Sequence, residues 1–247
     1  MKINSQDRAW LLRDKYAGLE TPAFLADVKK IEQGEPLDYV IGWRDFLGCR
    51  IDLSERPLIP RAETEFWTEL VIKKIGQQPA KVLDIFAGSG CVGLAVLKHC
   101  LQVEVTFADS EESCLRQIRK NRVKLRHAAS LVKIIKSDVF SNIKNKFDFI
   151  LANPPYVPTV GRGSRVQTSA SKYEPATALW SGADGLDIIR RFLTDAKNHL
   201  TPTGEIWLEF SVGQKTKIEK LLRENGYKQC QFHRDQFGRF RFVVIGA

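Results

Sequence analysis

A chain of 247 residues with 43% hydrophobic and 27% charged residues lies near the globular average, which excludes a wholly disordered, collagenous or coiled-coil chain. No apolar stretch approaches the ~18 residues that span a bilayer, and the start Met1-Lys2-Ile3-Asn4-Ser5-Gln6-Asp7 has no apolar signal segment, so no membrane partner and a cytoplasmic location are expected. Lys and Arg number 38 against 29 Asp and Glu, a net charge of +9, which raises attraction to nucleic acid or to an acidic protein without choosing between them.

Residues 1–33 form a short helical N-terminal region, with helices predicted over 7–16 and 22–32. Residues 34–60 form a Pro- and Gly-punctuated linker in which a β-hairpin is predicted, and 61–247 form the main domain, opening with a helix over 61–76. From residue 81 onward, β-rich runs alternate with helical stretches, the pattern of a parallel sheet with crossover helices. Strands are predicted at 81–85, 103–109, 132–138, 147–153, 204–210, 228–234 and 239–245, and helices at 91–100, 113–125, 185–200 and 215–225. Only Asp235-Gln236-Phe237-Gly238 separates the last two strands, too few residues for a crossover, so they pair as an antiparallel hairpin. The five cysteines, at 49, 91, 100, 114 and 230, include no C-x-x-C pair. Reduced, mostly buried thiols are therefore predicted, with no metal site.

This α/β layout resembles the class I S-adenosylmethionine-dependent methyltransferase fold, a seven-stranded, mostly parallel sheet with an antiparallel last strand. Ordinary dinucleotide-binding folds lack the closing hairpin.

The run Val82-Leu83-Asp84-Ile85-Phe86-Ala87-Gly88-Ser89-Gly90 passes from the first strand through a small-residue turn into a helix. Gly88 and Gly90 can take positive φ and let backbone NH groups approach a ligand. The spacing is neither G-x-G-x-x-G nor G-x-x-x-x-G-K-[ST], which disfavours a pyrophosphate or triphosphate. A plain structural turn uses the same glycines. Asp109, at the end of the second strand, can accept from both hydroxyls of a ribose. Asp138, at the end of the third, can accept from an exocyclic amine while Val139 packs on the purine face. A strand-end Asp also caps helices, but three successive strand ends with complementary groups favour a nucleoside ligand.

Phe147-Asp148-Phe149-Ile150-Leu151-Ala152-Asn153-Pro154-Pro155-Tyr156 reads as a buried fourth strand ending in Asn-Pro-Pro-Tyr. Pro154 and Pro155 have no NH donor and a fixed φ, so they hold the carbonyls rigidly. The amide oxygen of Asn153 and the carbonyl of Pro154 can each accept one proton of a planar NH2 group whose face lies on Tyr156. Such a pair suits methyl transfer to an amide or aryl amine, because it draws the nitrogen toward a tetrahedral shape and aims it at a sulfonium methyl. Alignment can supply ~7 to 11 kcal/mol against ~0.5 to 1.5 kcal/mol for each hydrogen bond, so positioning dominates and no strong base is required.

Further segments carry a family resemblance. Gly34-Glu35-Pro36-Leu37-Asp38-Tyr39-Val40-Ile41-Gly42 is similar to the linker signature G-E-P-x-x-Y-[IV]-x-G of the HemK/PrmC family, the N5-glutamine methyltransferases of peptide chain release factors. Leu58-Ile59-Pro60-Arg61-Ala62-Glu63-Thr64-Glu65 is similar to its L-I-P-R-P-E-T-E segment. Tyr173-Glu174-Pro175, Ala178-Leu179 and Gly182-Ala183-Asp184-Gly185-Leu186 match the loop that follows N-P-P-Y there. The resemblance covers residues 34–247 and makes 61–247 a methyltransferase catalytic domain. It implies transfer from S-adenosyl-L-methionine to the glutamine of the Gly-Gly-Gln loop of a class-1 release factor; a monomer is expected.

It further implies that Phe86, Ala87, Gly88, Ser89, Gly90, Asp109, Val139 and Asn153 contact the cofactor, and that Asn153, Pro154, Pro155 and Tyr156 grip the substrate glutamine. Arg61, Thr64 and Glu65 are placed near the entrance. The family usually has Gly where Phe86 stands, and Phe-Ala-Gly-Ser-Gly is instead similar to several nucleic-acid methyltransferases. In the family a larger helical domain before the linker docks the release factor; residues 1–33 occupy that place here. The alternative is an RNA or DNA amino-group methyltransferase, because Asn-Pro-Pro-Tyr serves adenine N6 and guanine N2 equally well and the basic charge suits phosphates.

Overall fold

The computed structural model describes residues 2–123, 132–159 and 168–247, with backbone alone for 168–170. Helix α1 (Ser5–Tyr16) starts where the Asn4 side chain accepts from the Asp7 amide at 2.7 Å. Helix α2 (Pro22–Glu32) starts where Thr21 Oγ1 accepts from the Phe24 amide at 3.1 Å, with Pro22 in the first turn. With α3 (Leu37–Ile41) they enclose a small core of Leu11, Phe24, Val28 and Val40. Strands β1 (Trp43–Phe46) and β2 (Cys49–Asp52) form the hairpin predicted for the linker. It is fastened to the main domain by a reciprocal pair: the Asp52 amide donates to Asn121 Oδ1 at 2.8 Å, and Asn121 Nδ2 donates to the Asp52 carbonyl at 3.1 Å.

Helix α4 (Ala62–Ile75) leads into β3 (Ala80–Ile85), α5 (Cys91–His99), β4 (Val103–Asp109), α6 (Glu112–Arg122), β5 (Val132–Lys136) and β6 (Phe147–Ala152). Short helices α7 (Thr168–Tyr173) and α8 (Ala176–Leu179) precede α9 (Asp187–Asp195), β7 (Leu200–Glu209), α10 (Lys215–Glu224), β8 (Cys230–Arg234) and β9 (Phe240–Gly246). The sheet order is β5-β4-β3-β6-β7-β9-β8, with β9 antiparallel to both of its neighbours. One face is covered by the hairpin, α4, α5 and α6, around Trp67, Val71, Leu94, Phe107 and Ile118. The other is covered by α9 and α10, around Phe192, Leu193, Ile218 and Leu222. Each such side chain, fully buried, contributes roughly 1.5 to 3 kcal/mol.

Several boundaries move. The strand predicted at 204–210 begins at Leu200, because Leu200 still pairs with Phe147 before the register shifts between Phe147 and Phe149. Pro202, which has no donor, sits at that irregularity. The helix predicted over 185–200 is α9 plus a 3₁₀ turn over Ala196–His199. The last residues of the helix predicted over 113–125 lie outside the described residues, and the strand predicted from 228 begins at Cys230. Cys49, Cys91, Cys100 and Cys114 are buried, and Cys230 is exposed. Among the described residues no helix is long and apolar enough to cross a membrane.

Candidate active site

The sheet order reverses at β3, whose chain continues to β4 on one side while β6 lies on the other. Ile85 and Ala152 are register partners at the carboxyl ends of β3 and β6. The loop beginning at Phe86 and the loop beginning at Asn153 therefore leave the sheet side by side, at the switch point where open α/β sheets bind ligands. Phe86, Ala87, Gly88, Ser89, Asp109, Asp138, Val139, Asn153 and Pro155 line one pocket there. Of the sequence-predicted residues, Gly90, Pro154 and Tyr156 are not in its lining.

The first wall is held by carboxylates. Asp109 accepts from the Gly88 amide at 2.8 Å and from the Glu111 amide at 2.9 Å, so it shapes the loop as well as facing the pocket. Asp84 accepts from the Gly93 amide at 2.8 Å. Burial pushes the Asp84 carboxyl up to about 8, opposed by the Gly93 amide and reinforced by the charge of Asp109. Burial raises Asp109 as well. Gly90 has φ +79°, and a Cβ there would lie 3.0 Å from Ile118 Cγ1, so glycine suits both the left-handed turn and the close approach of α6. Phe86 (φ 60°) and Val139 (φ 51°) are also left-handed although neither is glycine. Such positions cost of order 1 to 3 kcal/mol each, and both border the pocket. Ser137 Oγ donates to the Val139 carbonyl at 2.7 Å, which secures that turn. Asp138 lies beyond the end of β5, exposed, with Oδ2 accepting from Arg191 Nη2 at 2.7 Å.

The second wall is the Asn-Pro-Pro-Tyr loop. Gln214 Nε2 donates to the Tyr156 carbonyl at 3.0 Å, and the Val157 amide donates to the Leu179 carbonyl at 2.8 Å. Asn153 Nδ2 donates to Thr64 Oγ1 at 3.1 Å, and Thr64 Oγ1 donates to Glu209 Oε2 at 2.7 Å. Trp67 Nε1 donates to the same Oε2 at 2.7 Å, and the Tyr156 hydroxyl donates to Oε1 at 3.1 Å. Glu209 is 1% exposed. Burial raises its carboxyl, while Trp67, Thr64, the Arg241 charge and Tyr156 oppose the rise. Burial, with the Glu209 charge adding to it, also pushes the Tyr156 phenol up.

A third contact ties two lining segments of the pocket together. Glu174, buried, accepts from Arg61 Nη2 at 2.5 Å and from the Ile59 amide at 3.1 Å. That joins the segment carrying Pro60 and Thr64 to the one carrying Pro175, and all three line the pocket. Glu65 points elsewhere: its Oε1 accepts from the Leu47 amide at 2.7 Å, fixing the hairpin to α4 rather than facing the entrance.

Over 245 residues the chain is 35% identical to a Streptococcus pneumoniae protein named release factor glutamine methyltransferase, covering 98% of this chain and 86% of that one. The chain belongs to that family. A release factor glutamine methyltransferase of Lactococcus lactis subsp. lactis is 31% identical over 236 residues, covering 95% of this chain and 86% of its own. Residues 61–170 match the family described as methyltransferase small domain. In fold, the chain is similar to the ribosomal protein L11 methylase of Lactobacillus delbrueckii subsp. bulgaricus, with TM-score 0.58, 18% identity and coverage of 80% of this chain and 83% of that one.

Sequence reasoning about the family motifs reached both walls of the site but missed Glu209. Within β7 it reads as an ordinary strand residue, and the only signal available was a carboxylate in an otherwise apolar run, Ile206-Trp207-Leu208-Glu209-Phe210.

Proposed function

We propose that this chain transfers the methyl group of S-adenosylmethionine to the side-chain amide nitrogen of the glutamine in the Gly-Gly-Gln loop of a class-1 release factor. The observation that carries this reading is the Asn153 side chain. Its Nδ2 is spent on Thr64, and among the described residues no donor reaches Oδ1, which leaves an oriented acceptor at the pocket. A carboxamide NH2 supplies the matching donors.

The pocket chemistry fits the cofactor. The charge of Asp109 raises the proton affinity of the buried Asp84, burial raises that of Asp109, and a sulfonium or ammonium cation nearby would relieve that repulsion. Phe86 through Gly90 and Val139 would frame the nucleoside, with Asp109 accepting from its ribose and Asp138 offering a carboxylate at the rim. When bound, S-adenosylmethionine supplies an electrophilic methyl group on sulfur. Asn153 Oδ1 and the Pro154 carbonyl accept the two amide protons and hold the nitrogen lone pair in line. The rigid Pro154-Pro155 backbone keeps both acceptors fixed, and Tyr156 anchors the loop on Glu209. With the methyl donor bound, the nitrogen held by these acceptors would take the methyl group from the sulfonium, leaving a neutral thioether, and would lose one proton to water. Fixed acceptors of this kind act chiefly by alignment.

The test incubates the protein with labelled methyl donor and either purified release factor or structureless RNA. Label on the Gly-Gly-Gln glutamine is expected. Label in RNA alone would reverse the reading in favour of a nucleic-acid amino group. Family membership along nearly the whole chain supports the protein substrate over that alternative.

A further inference from the structure

We infer that Glu209, acting through Thr64, fixes which end of the Asn153 side chain faces the substrate and so makes the site select a carboxamide over a carboxylate. This rests on the glutamine reading above and adds to it a positioning residue on β7.

The Trp67 indole N–H can only donate, so the Glu209 Oε2 at 2.7 Å from it must be an acceptor. With Glu209 as a carboxylate, facing the charge of Arg241, both of its oxygens accept, Oε1 from the Tyr156 hydroxyl at 3.1 Å. The single proton of Thr64 is accordingly spent on Oε2 at 2.7 Å. Thr64 Oγ1 can then only accept from its other neighbour, Asn153, at 3.1 Å. Turning the Asn153 amide by half a turn would set Oδ1 against Oγ1 with no proton between them, two acceptors facing each other. The loss of one partly buried hydrogen bond disfavours that arrangement about tenfold or more. Thus the donor end of Asn153 is tied inward and the acceptor end is presented to the substrate. Glutamine, with two N–H donors, is favoured, and glutamate, which meets an oxygen with an oxygen, is rejected. A purely mechanical role, Glu209 pinning α4 to the sheet through Trp67, would leave this preference untouched.

The experiment measures binding of a Gly-Gly-Gln peptide and a Gly-Gly-Glu peptide by calorimetry to the full chain loaded with S-adenosylhomocysteine, beside methyl transfer to the Gln peptide. Thr64→Val removes the hydroxyl at constant shape and frees Asn153 to turn. The Gln-over-Glu preference is expected to fall about tenfold, and kcat to fall at least as far, with the KM for the methyl donor within about twofold of the parent. Thr64→Ser is expected to recover the preference. A folded Thr64→Val protein that keeps the parent preference overturns the inference, even if the parent methylates glutamine. A parent that methylates no glutamine overturns the proposed function instead. If thermal melting finds Thr64→Val unfolded, Thr64→Ala, which removes the same hydroxyl, carries the test with the same expected loss of preference of about tenfold, and Glu209→Gln tests the charge. Trp67 would hold its carboxamide oxygen at the Oε2 position, Thr64 would stay polarised, and the preference is expected to remain within about threefold of the parent. Collapse of the preference in that variant would mean that the negative charge, not the direction of the Thr64 proton, is what matters, and would overturn the inference.

Discussion

Gly185→Ala should disable the site from behind. Gly185 has φ +77°, and a Cβ built there would lie 2.9 Å from Gln214 Nε2 and 3.0 Å from the Pro158 nitrogen, with the Tyr156 carbonyl oxygen closer still. Backbone cannot rotate away as a side-chain end can. To restore an ordinary contact of about 3.5 Å, the Asn-Pro-Pro-Tyr loop would have to retreat by about 1 Å, breaking the 3.0 Å bond from Gln214 to the Tyr156 carbonyl. A misplacement of that size costs about 100-fold in rate when alignment carries the chemistry. The left-handed φ adds roughly 1 to 2 kcal/mol of instability. Gly182→Ala is the control. It has φ +72° and the same backbone penalty, but its Cβ would meet only the Asp187 carboxylate, the end of an exposed side chain paired with Arg190 that can swing aside. Single-turnover methyl transfer, read beside thermal melting, should therefore find both variants destabilised and only Gly185→Ala slow. If the two lose activity equally, or Gly185→Ala stays within about threefold of the parent, loop position is not what sets the rate.

Asn153→Ala should lower methyl transfer at least about 100-fold while calorimetry finds donor affinity only moderately reduced, because the other pocket walls remain. Phe86→Gly relieves a left-handed φ of 60° but deletes the ring packed 5.9 Å from Phe192; we expect a net destabilisation of about 1 to 3 kcal/mol in urea melts. Asp27 is the pH-sensitive element of the N-terminal region. Burial would raise its carboxyl, but hydrogen bonds from Lys15, Lys30 and Tyr16 outweigh that and hold it at about 2. A lowered folded pKa contributes stability above the ordinary value of 3.8 that is lost as pH falls through about 2. Because Lys15 and Lys30 are 36% and 53% exposed, screening cuts the contribution to about 1 kcal/mol. Amide exchange in α2 should separate Asp27→Asn from the parent at pH 6, and the gap should shrink between about pH 4 and pH 2.

The parts of the fold that were legible in the sequence are those whose determinants are local. Alternating runs located all seven strands of the main sheet, and the four residues between β8 and β9 forced their antiparallel pairing. Boundaries failed where tertiary pairing overrode local preference, as when Phe147 drew Leu200 into β7 across a proline-containing stretch. Asp138 was predicted at a strand end facing a ligand. It stands in the turn after β5 instead, at the rim, where Arg191 reaches it from α9, an element 53 residues away.

The same division runs through the candidate site. Phe86 to Gly90 and Asn153 to Tyr156 are contiguous stretches whose chemistry can be read residue by residue. The Thr64–Glu209 contact joins positions 145 residues apart, and no local pattern marks either as paired. A carboxylate in the middle of a sheet is costly to desolvate, and it is tolerated only when donors surround it. Here those donors come from Trp67 and Thr64 on α4 and from Tyr156 on the Asn-Pro-Pro-Tyr loop. The cost therefore falls on one residue that touches both halves of the site, and any rearrangement of α4 or of the Asn-Pro-Pro-Tyr loop would strand a buried carboxylate without its partners. That coupling ties the orientation of Asn153 to the packing of α4 on the sheet.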